Sequence, residues 1–555
     1  MKESRGFSTG LLLLTGLVSL FMGASMWYTW RVGWHPQSPD WKGPAVHLIQ
    51  DGDGFSIAVF TLAAFIGLLI AVKGLGSLPD KKISRNASSF TDPPFSFIVF
   101  CLMAAWFPFF LVFFPGTGMN DTTDILRAEF WAAGQHTLLY CLFLGGLGEI
   151  SKTLTGNWAA GLAAASIVQM YLLAASISYA VTWLYRRSGS AVMAVLFTAY
   201  YAFCPMIVNY SFANVKDTLF SAAVLLWVPL IYELLTEGED AFPRMERIFI
   251  IASLGMLLLR NNGRYVYAVL LLLFLLTFQR IRWKAASLGA ALFLVSLLPN
   301  AALSYFMDLP QLFQERVGVP IQQVGRVIAA GRPLLPEEEQ YLYKMMAPEE
   351  MRYWYDPFTA DGIKWNRNFH FDSFNSHPEE FWETWKSLGR RYPKDFIEGW
   401  MLAVYGYWSF PAPDGETQSR FGWAFSMKDL TAPWGMDPAS NNDYQTGTMI
   451  HVYSPKMQEK LGRYLWNHSR YAGAGTCFWI TAILALILLY RRRGRMLLIL
   501  MPAFLLWGTL LLAAPAAFVF RYVFYFPLCL PFFLLLPYMP YKKRRNEDHW
   551  HALRS

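Results

Sequence analysis

The 555-residue chain is 55% hydrophobic and 17% aromatic, with 15% charged residues and a formal net charge of +8. Soluble domains carry about a quarter charged residues, so the composition excludes an ordinary soluble globule and describes a polytopic membrane protein. Nor is the positive balance a nucleic-acid surface. Arg and Lys sit in short clusters between apolar runs, at Arg186 and Arg187, at Arg280, Arg282 and Lys284, at Arg491, Arg492, Arg493 and Arg495, and over 542–545.

Crossing roughly 30 Å of hydrocarbon takes about 20 residues of helix. Runs of that kind fall near 9–30, 55–75, 95–114, 158–185, 190–208, 218–236, 246–260, 264–280, 285–305, 473–490, 496–513 and 516–538. The first follows Lys2 and Arg5 and lacks a small-x-small cleavage site, so it reads as a retained span. With the N-terminus in the cytoplasm, the basic clusters fall on the cytoplasmic side. The expected fold class is therefore mainly α, a polytopic membrane protein of about twelve transmembrane helices with both termini inside. The expected divisions are a two-helix extension over 1–94, a transmembrane core over 95–305, and an exterior domain over 306–470. Helices over 471–540 and a basic tail over 541–555 complete the chain.

In chain order, Asp51-Gly-Asp53-Gly lacks the later ligands of a calcium loop and reads as a turn before the second span. The third run ends at Phe114, turns on Pro115 and Gly116, and presents Asp121 and Asp124. Carboxylates at the mouth of a span are costly unless something polar uses them. Two readings stand: a general base that deprotonates an acceptor hydroxyl, or a cap of the helix beginning near Asn120. Asp121 follows the turn directly and is preferred over Asp124. His136 and Tyr140, four apart, share a helix face; they either contact a phosphate or sugar, or form a satisfied interfacial His with an anchoring Tyr. The stretch 136–157, broken by Gly145, Gly146, Gly148 and Glu149, predicts a short interfacial helix or a re-entrant loop before the span at 158–185.

Lys216 and Asp217 open a span, as holders of an anionic head group or as a structural pair. Arg260-Asn261-Asn262-Gly263-Arg264 makes a tight turn between two runs, where Arg suits bidentate phosphate contacts. The domain 306–470 contains predicted helices starting at Pro378 and Pro393 and a long loop over 409–450. Its tryptophans either stack on sugar rings or fill a core. Arg521, in an aromatic setting within the last run, wants an anion, either an acid of the protein or a lipid phosphate. The five cysteines lie in or beside apolar runs, and no disulfide framework is implied. Phosphate-loop, zinc-protease and serine-hydrolase motifs are absent.

The ordered set Pro115-Gly116, Asp121, His136, Asn214-x-Lys216-Asp217, Arg260-Asn-Asn-Gly263, Pro320-Ile-Gln322-Gln323 with Arg326, and Arg521-Tyr522 resembles the C-type (GT-C) membrane glycosyltransferases. The likeness spans about residues 95–540. It implies an inverting transfer of sugar from a polyprenyl-phosphate donor to an exterior glycan or lipid acceptor, at the outer face of a bacterial plasma membrane. Carried over by position, Asp121 is the base, with Asp124 the second catalytic candidate. His136, Lys216, Arg260 and Arg521 surround the donor phosphate, and Gln322, Gln323 and Arg326 approach from the exterior domain; Tyr140, Asp217, Asn262 and Tyr522 are further candidate substrate contacts. A divalent cation, Mg or Mn, bridging Asp121 and Asp217 is allowed but not demanded. A flippase or other transporter is the rival reading; it predicts ionisable residues at mid-membrane and internal repeats. The charges lie mainly at run ends, and no repeat is visible. A polysaccharide ligase, sharing the lipid-linked substrate, stays open.

Overall fold

The computed structural model describes residues 7–34, 47–80, 95–118, 120–127, 136–306, 313–410, 425–426, 455–468, 473–513, 516–517 and 519–541. The chain is a polytopic, mainly α-helical membrane protein. All twelve expected apolar runs are helical, beginning with α1 (Thr9–Thr29), α2 (Asp53–Gly76) and α3 (Phe95–Val112). Two helices follow on the way to the next span, α4 (Asn120–Arg127) and α5 (Leu138–Thr155). Then come α6 (Ala159–Ser188), α7 (Ala191–Phe203), α8 (Pro205–Ser211), α9 (Lys216–Thr236), α10 (Phe242–Leu259), α11 (Asn261–Thr277) and α12 (Arg282–Phe306).

Fewer than twelve are long and apolar enough to cross a bilayer. Among the described residues seven helices meet that test, or eight if the bent pair α7–α8 is one span. The 64° bend sits at Cys204-Pro205. Cys204 is extended, as a residue before proline prefers to be, and Pro205 cannot supply the amide that would continue α7. Helix α11 falls short at 17 residues.

Helix α9 is the axis of the bundle. It is buried nearly all round, Phe220 to Leu234 lying inside almost without interruption, and it packs against α6 and α10. An all-round apolar helix in the middle of other helices is the expected solution for such a sequence. Its first turn carries Lys216 and Asp217, which places both charges at one end of the bundle axis.

Between α12 and the later spans lies a helical interspan domain. It is built on α13 (Gly318–Ala329), with α14 (Pro336–Met345), α15 (Pro348–Trp354), α16 (Asp361–Lys364), α17 (Phe371–Ser376), α18 (Pro378–Arg391) and α19 (Pro393–Ala403) around it. The helices predicted from Pro378 and Pro393 both begin at those residues, proline suiting the first helical turn. Ile321, Val324, Val327 and Ile328 of α13 form a core with Phe374, Phe381 and Phe396, separate from that of the spans. This core is narrower than the 306–470 expected: Leu402, Val404 and α20 (Tyr405–Trp408) already belong to the membrane body, as does Leu465 of α21 (Pro455–His468). Most of the predicted 409–450 loop lies outside the described residues.

The chain ends with α22 (Ala474–Tyr490), α23 (Leu497–Ala513) and, after a short 3-10 turn over Phe520–Val523, α24 (Tyr525–Leu535). The first two spans pack on the later ones: α1 and α2 lie against α22, and Ser25 Oγ donates to the Trp408 carbonyl at 2.6 Å. Two arginines expected only as topology signals are spent inside the protein. Arg491 and Arg493 both pair with Asp80 after α2, and Arg493 Nη1 also donates to the carbonyls of Pro537 and Met539 at 2.8 and 2.7 Å.

Candidate active site

Asp121 is carried by a short loop-and-helix unit clamped from three sides. The loop residue Thr117 accepts from the Asn214 amide at 2.7 Å, and Ser166 Oγ lies 3.1 Å from the carbonyls of Pro115 and Phe212. Thr122 Oγ1 donates to Asn214 O at 2.7 Å, and Ile125 and Leu126 are buried. Thr122, Ile125 and Leu126 therefore form the inward face of α4. Asp121, four residues before Ile125, borders that face, while Asp124 lies opposite it and is exposed.

Gly116 makes this clamp possible. Its φ is +131°, and a Cβ there would sit 2.2 Å from Ser166 Oγ and 2.9 Å from Asn214 Nδ2 and the Phe212 carbonyl. Gly116→Ala is expected to destabilise the protein by more than about 1 kcal/mol, a methyl being incompatible with both the dihedral and the space. Thermal unfolding of the purified variant checks this.

Six ionisable residues from five separated segments, Asp121 and Asp217 among them, converge here. Arg521 grips Asp121 with both terminal nitrogens, Nη2 to Oδ1 and Nη1 to Oδ2, each at 2.9 Å. Lys216 Nζ lies 3.1 Å from Asp121 Oδ2 and 2.7 Å from His136 Nδ1. Fully buried Asp217 has Arg260 Nη1 at 3.0 Å and Arg521 Nε at 3.9 Å, neither aligned as a hydrogen bond. The Arg260 and Arg521 guanidiniums lie over the Tyr522 ring at 4.7 and 5.0 Å from its centre, a cation–π arrangement that holds two like charges side by side. Thr137 Oγ1 donates to the Leu259 carbonyl at 3.2 Å, fastening the start of α5 beside Arg260. Tyr140 is buried nearby, its hydroxyl without a hydrogen-bond partner.

The electrostatics follow from this crowding. Burial alone would raise the Asp121 carboxyl, but Arg521 and then Lys216 outweigh it and hold the group well below the usual carboxylate range. Burial, then the Lys216 ammonium, push His136 down to about 3, so its imidazole is neutral and accepts from Lys216. Between about pH 6.5 and pH 3 an unfolded chain therefore binds a proton that folded His136 refuses. Stability is full above about pH 6.5 and is expected to fall as the pH drops through that window. His136→Gln should flatten this part of the profile in unfolding midpoints measured from pH 7 to pH 4.

Several expected site residues lie elsewhere. Gln322, Gln323 and Arg326 do not reach the cluster; they are structural parts of the interspan domain. Gln322 Nε2 donates to the Asp356 carbonyl at 2.7 Å, Gln323 accepts from Trp385 Nε1 at 2.9 Å, and buried Arg326 pairs with Glu398 at 2.9 Å. Asn262 turns away to Thr509 Oγ1 at 3.1 Å. Asp53, read as part of a turn, is buried and paired with Arg31 at 2.6 Å. Sequence reasoning missed Ser166 and Gln169, which brace the 210–214 segment from α6; polar residues in an apolar span are the signal that marks them.

The fold and this cluster define a polytopic α-helical membrane protein with a buried ion-pair site at one end of its bundle. The chain belongs to DUF6020, a family of unknown function whose profile matches residues 129–551. It is similar to a solved structure, ArnT from Cupriavidus metallidurans bound to undecaprenyl phosphate, at 13% identity over 80% of this chain and 78% of that one, with a TM-score of 0.31. No curated protein matches.

Proposed function

We propose that the chain is an inverting membrane glycosyltransferase that moves a sugar from a polyprenyl-phosphate donor to an exterior hydroxyl acceptor, a glycan or lipid of the cell envelope. The observation that carries this reading is the convergence of Lys216, Arg260 and Arg521 around Asp121 and Asp217 at the end of the bundle axis. Three cations against two carboxylates leave one positive charge to be matched by an anionic ligand. Arginine and lysine together suit a phosphate, one by planar donors and the other as a point charge. The flippase alternative places ionisable groups at mid-membrane, whereas these begin or end helices.

In this reading the acceptor oxygen loses its proton to an Asp121 carboxylate oxygen and forms a bond to the sugar's anomeric carbon. The bond from that carbon to the donor phosphate oxygen breaks, and its electron pair leaves with the polyprenyl phosphate. Arg521, Lys216 and Arg260 stabilise the charge on the departing phosphate. Neutral His136 keeps the Lys216 ammonium aimed into the site. The donor set does not fit a Mg or Mn ion between Asp121 and Asp217, since the Arg521 guanidinium already lies 2.9 Å from one carboxylate and 3.9 Å from the other. No step is routed through a metal.

The test is sugar transfer by the purified protein in liposomes, offered a panel of polyprenyl-phosphate sugars and glycan acceptors. Formation of a glycosidic product supports the reading. Movement of the lipid across the bilayer without product would replace it with the transporter.

A further inference from the structure

We propose that Asp121 is locked by its own cations until the donor phosphate takes them over, so that the base is released only when a donor is bound. The proposal rests on the transferase reading and concerns how its site is regulated. Asp121 accepts from Arg521 Nη2 and Lys216 Nζ, and Arg521 Nη1 lies 2.9 Å from its Oδ2 as a further ion-pair contact. A carboxylate so engaged has few lone pairs left for an acceptor's proton, and it is a poor base at neutral pH. The same Arg521 and Lys216 are the groups a phosphate needs. Carboxylate and phosphate therefore compete for one pair of cations, and donor binding must loosen the Asp121 contacts.

The surroundings suit such an exchange. Arg521 has a second anion within reach, since its Nε is 3.9 Å from Asp217 Oδ2. Both oxygens of Asp217 are buried without an aligned hydrogen bond. The Arg521 guanidinium can thus lean toward Asp217 while remaining over Tyr522, whose ring centre is 5.0 Å away. Lys216 keeps its contact with His136 Nδ1 at 2.7 Å as it turns from Asp121. The sequence of events is phosphate onto Arg521 and Lys216, Asp121 freed, acceptor proton to Asp121, then displacement of the phosphate by the acceptor oxygen. After release of the polyprenyl phosphate the cations return to Asp121. Without donor no strong base stands at the site, which withholds activation from stray hydroxyls and from water.

The distinguishing measurement is the affinity of undecaprenyl phosphate for the wild type and for Asp121→Asn in nanodiscs. Removing a competing charge-assisted contact is expected to tighten binding roughly tenfold or more, although the variant cannot transfer sugar. Equal or weaker binding by Asp121→Asn overturns the lock and leaves Asp121 as a group that merely positions the cations. A second readout needs no substitution. In wild-type protein with carboxyl-labelled aspartate, undecaprenyl phosphate is expected to shift an aspartate carboxylate stretch in the infrared difference spectrum; an unchanged spectrum on binding also overturns the lock. Arg521→Ala and Lys216→Ala separate the two levels of inference. If both bind undecaprenyl phosphate as tightly as the wild type, the phosphate site itself is wrong and the transferase reading falls with it.

Discussion

If the chain is the proposed transferase, Asp121→Asn is expected to reduce sugar transfer by at least about 1,000-fold, toward the upper end of what a positioned general base contributes. Asn is close in size and keeps an oxygen to accept from Arg521, so the α4 clamp through Thr122, Ile125 and Leu126 stays in place. What disappears is the carboxylate that Arg521 and Lys216 both contact. Asp217 is fully buried beside Arg260, and Asp124 is exposed on the other side of α4. Neither substitutes without movement of a helix. The measurement is single-turnover transfer with saturating donor, which separates chemistry from binding. Turnover equal to the wild type would make Asp121 a helix cap and move the search for a base to Asp124 or Asp217.

Much of this site was legible because charge in an apolar context is costly and therefore conspicuous. Asp121, His136, Lys216, Arg260 and Arg521 each interrupt or border an apolar run, and the structure joins all five. Their pairing was not legible. Arg521 is 400 residues from Asp121, and Arg260 pairs with Asp217 rather than Asp121. Asp121 and Asp124 could not be separated by pattern, because residues three apart on a helix lie near one another. The distinction comes from the rotation of α4, set by the contact of Thr122 with Asn214. The apolar runs gave every spanning helix its place, but a run's length in sequence did not show that α7 breaks at Pro205 or that α11 is short. The interspan domain misled most, since Gln322, Gln323 and Arg326 look like a surface motif until partners far along the chain bury them.

Arg326→Leu is the variant expected to cost most in stability, about 3 kcal/mol or more, because it removes one partner of a buried ion pair. Arg326 and Glu398 are both fully buried, with Nη2 2.9 Å from Oε2. Around them the N-terminal segment enters the interspan domain: His47 Nδ1 lies 3.1 Å from Glu398 Oε2, and the Ile49 amide donates to Oε1 at 3.0 Å. Arg332 holds Asp395 at 2.8 Å from the other side. His47, Asp395 and Glu398 bring potential metal-ligand atoms within 4.8 Å of one another. The two arginines nevertheless balance the two carboxylates, and the group behaves as an ion network joining the 47–49 segment to α13 and α19. Removing Arg326 alone strands the Glu398 charge, whereas Arg326→Leu with Glu398→Leu removes both charges and leaves apolar bulk in their place. The double variant is therefore expected to recover most of the lost stability. Chemical-denaturation midpoints of the wild type, both single variants and the double variant give the coupling. If the double variant is as unstable as the sum of the singles, the network does not act as a pair, and Glu398 is held chiefly by His47 and Ile49.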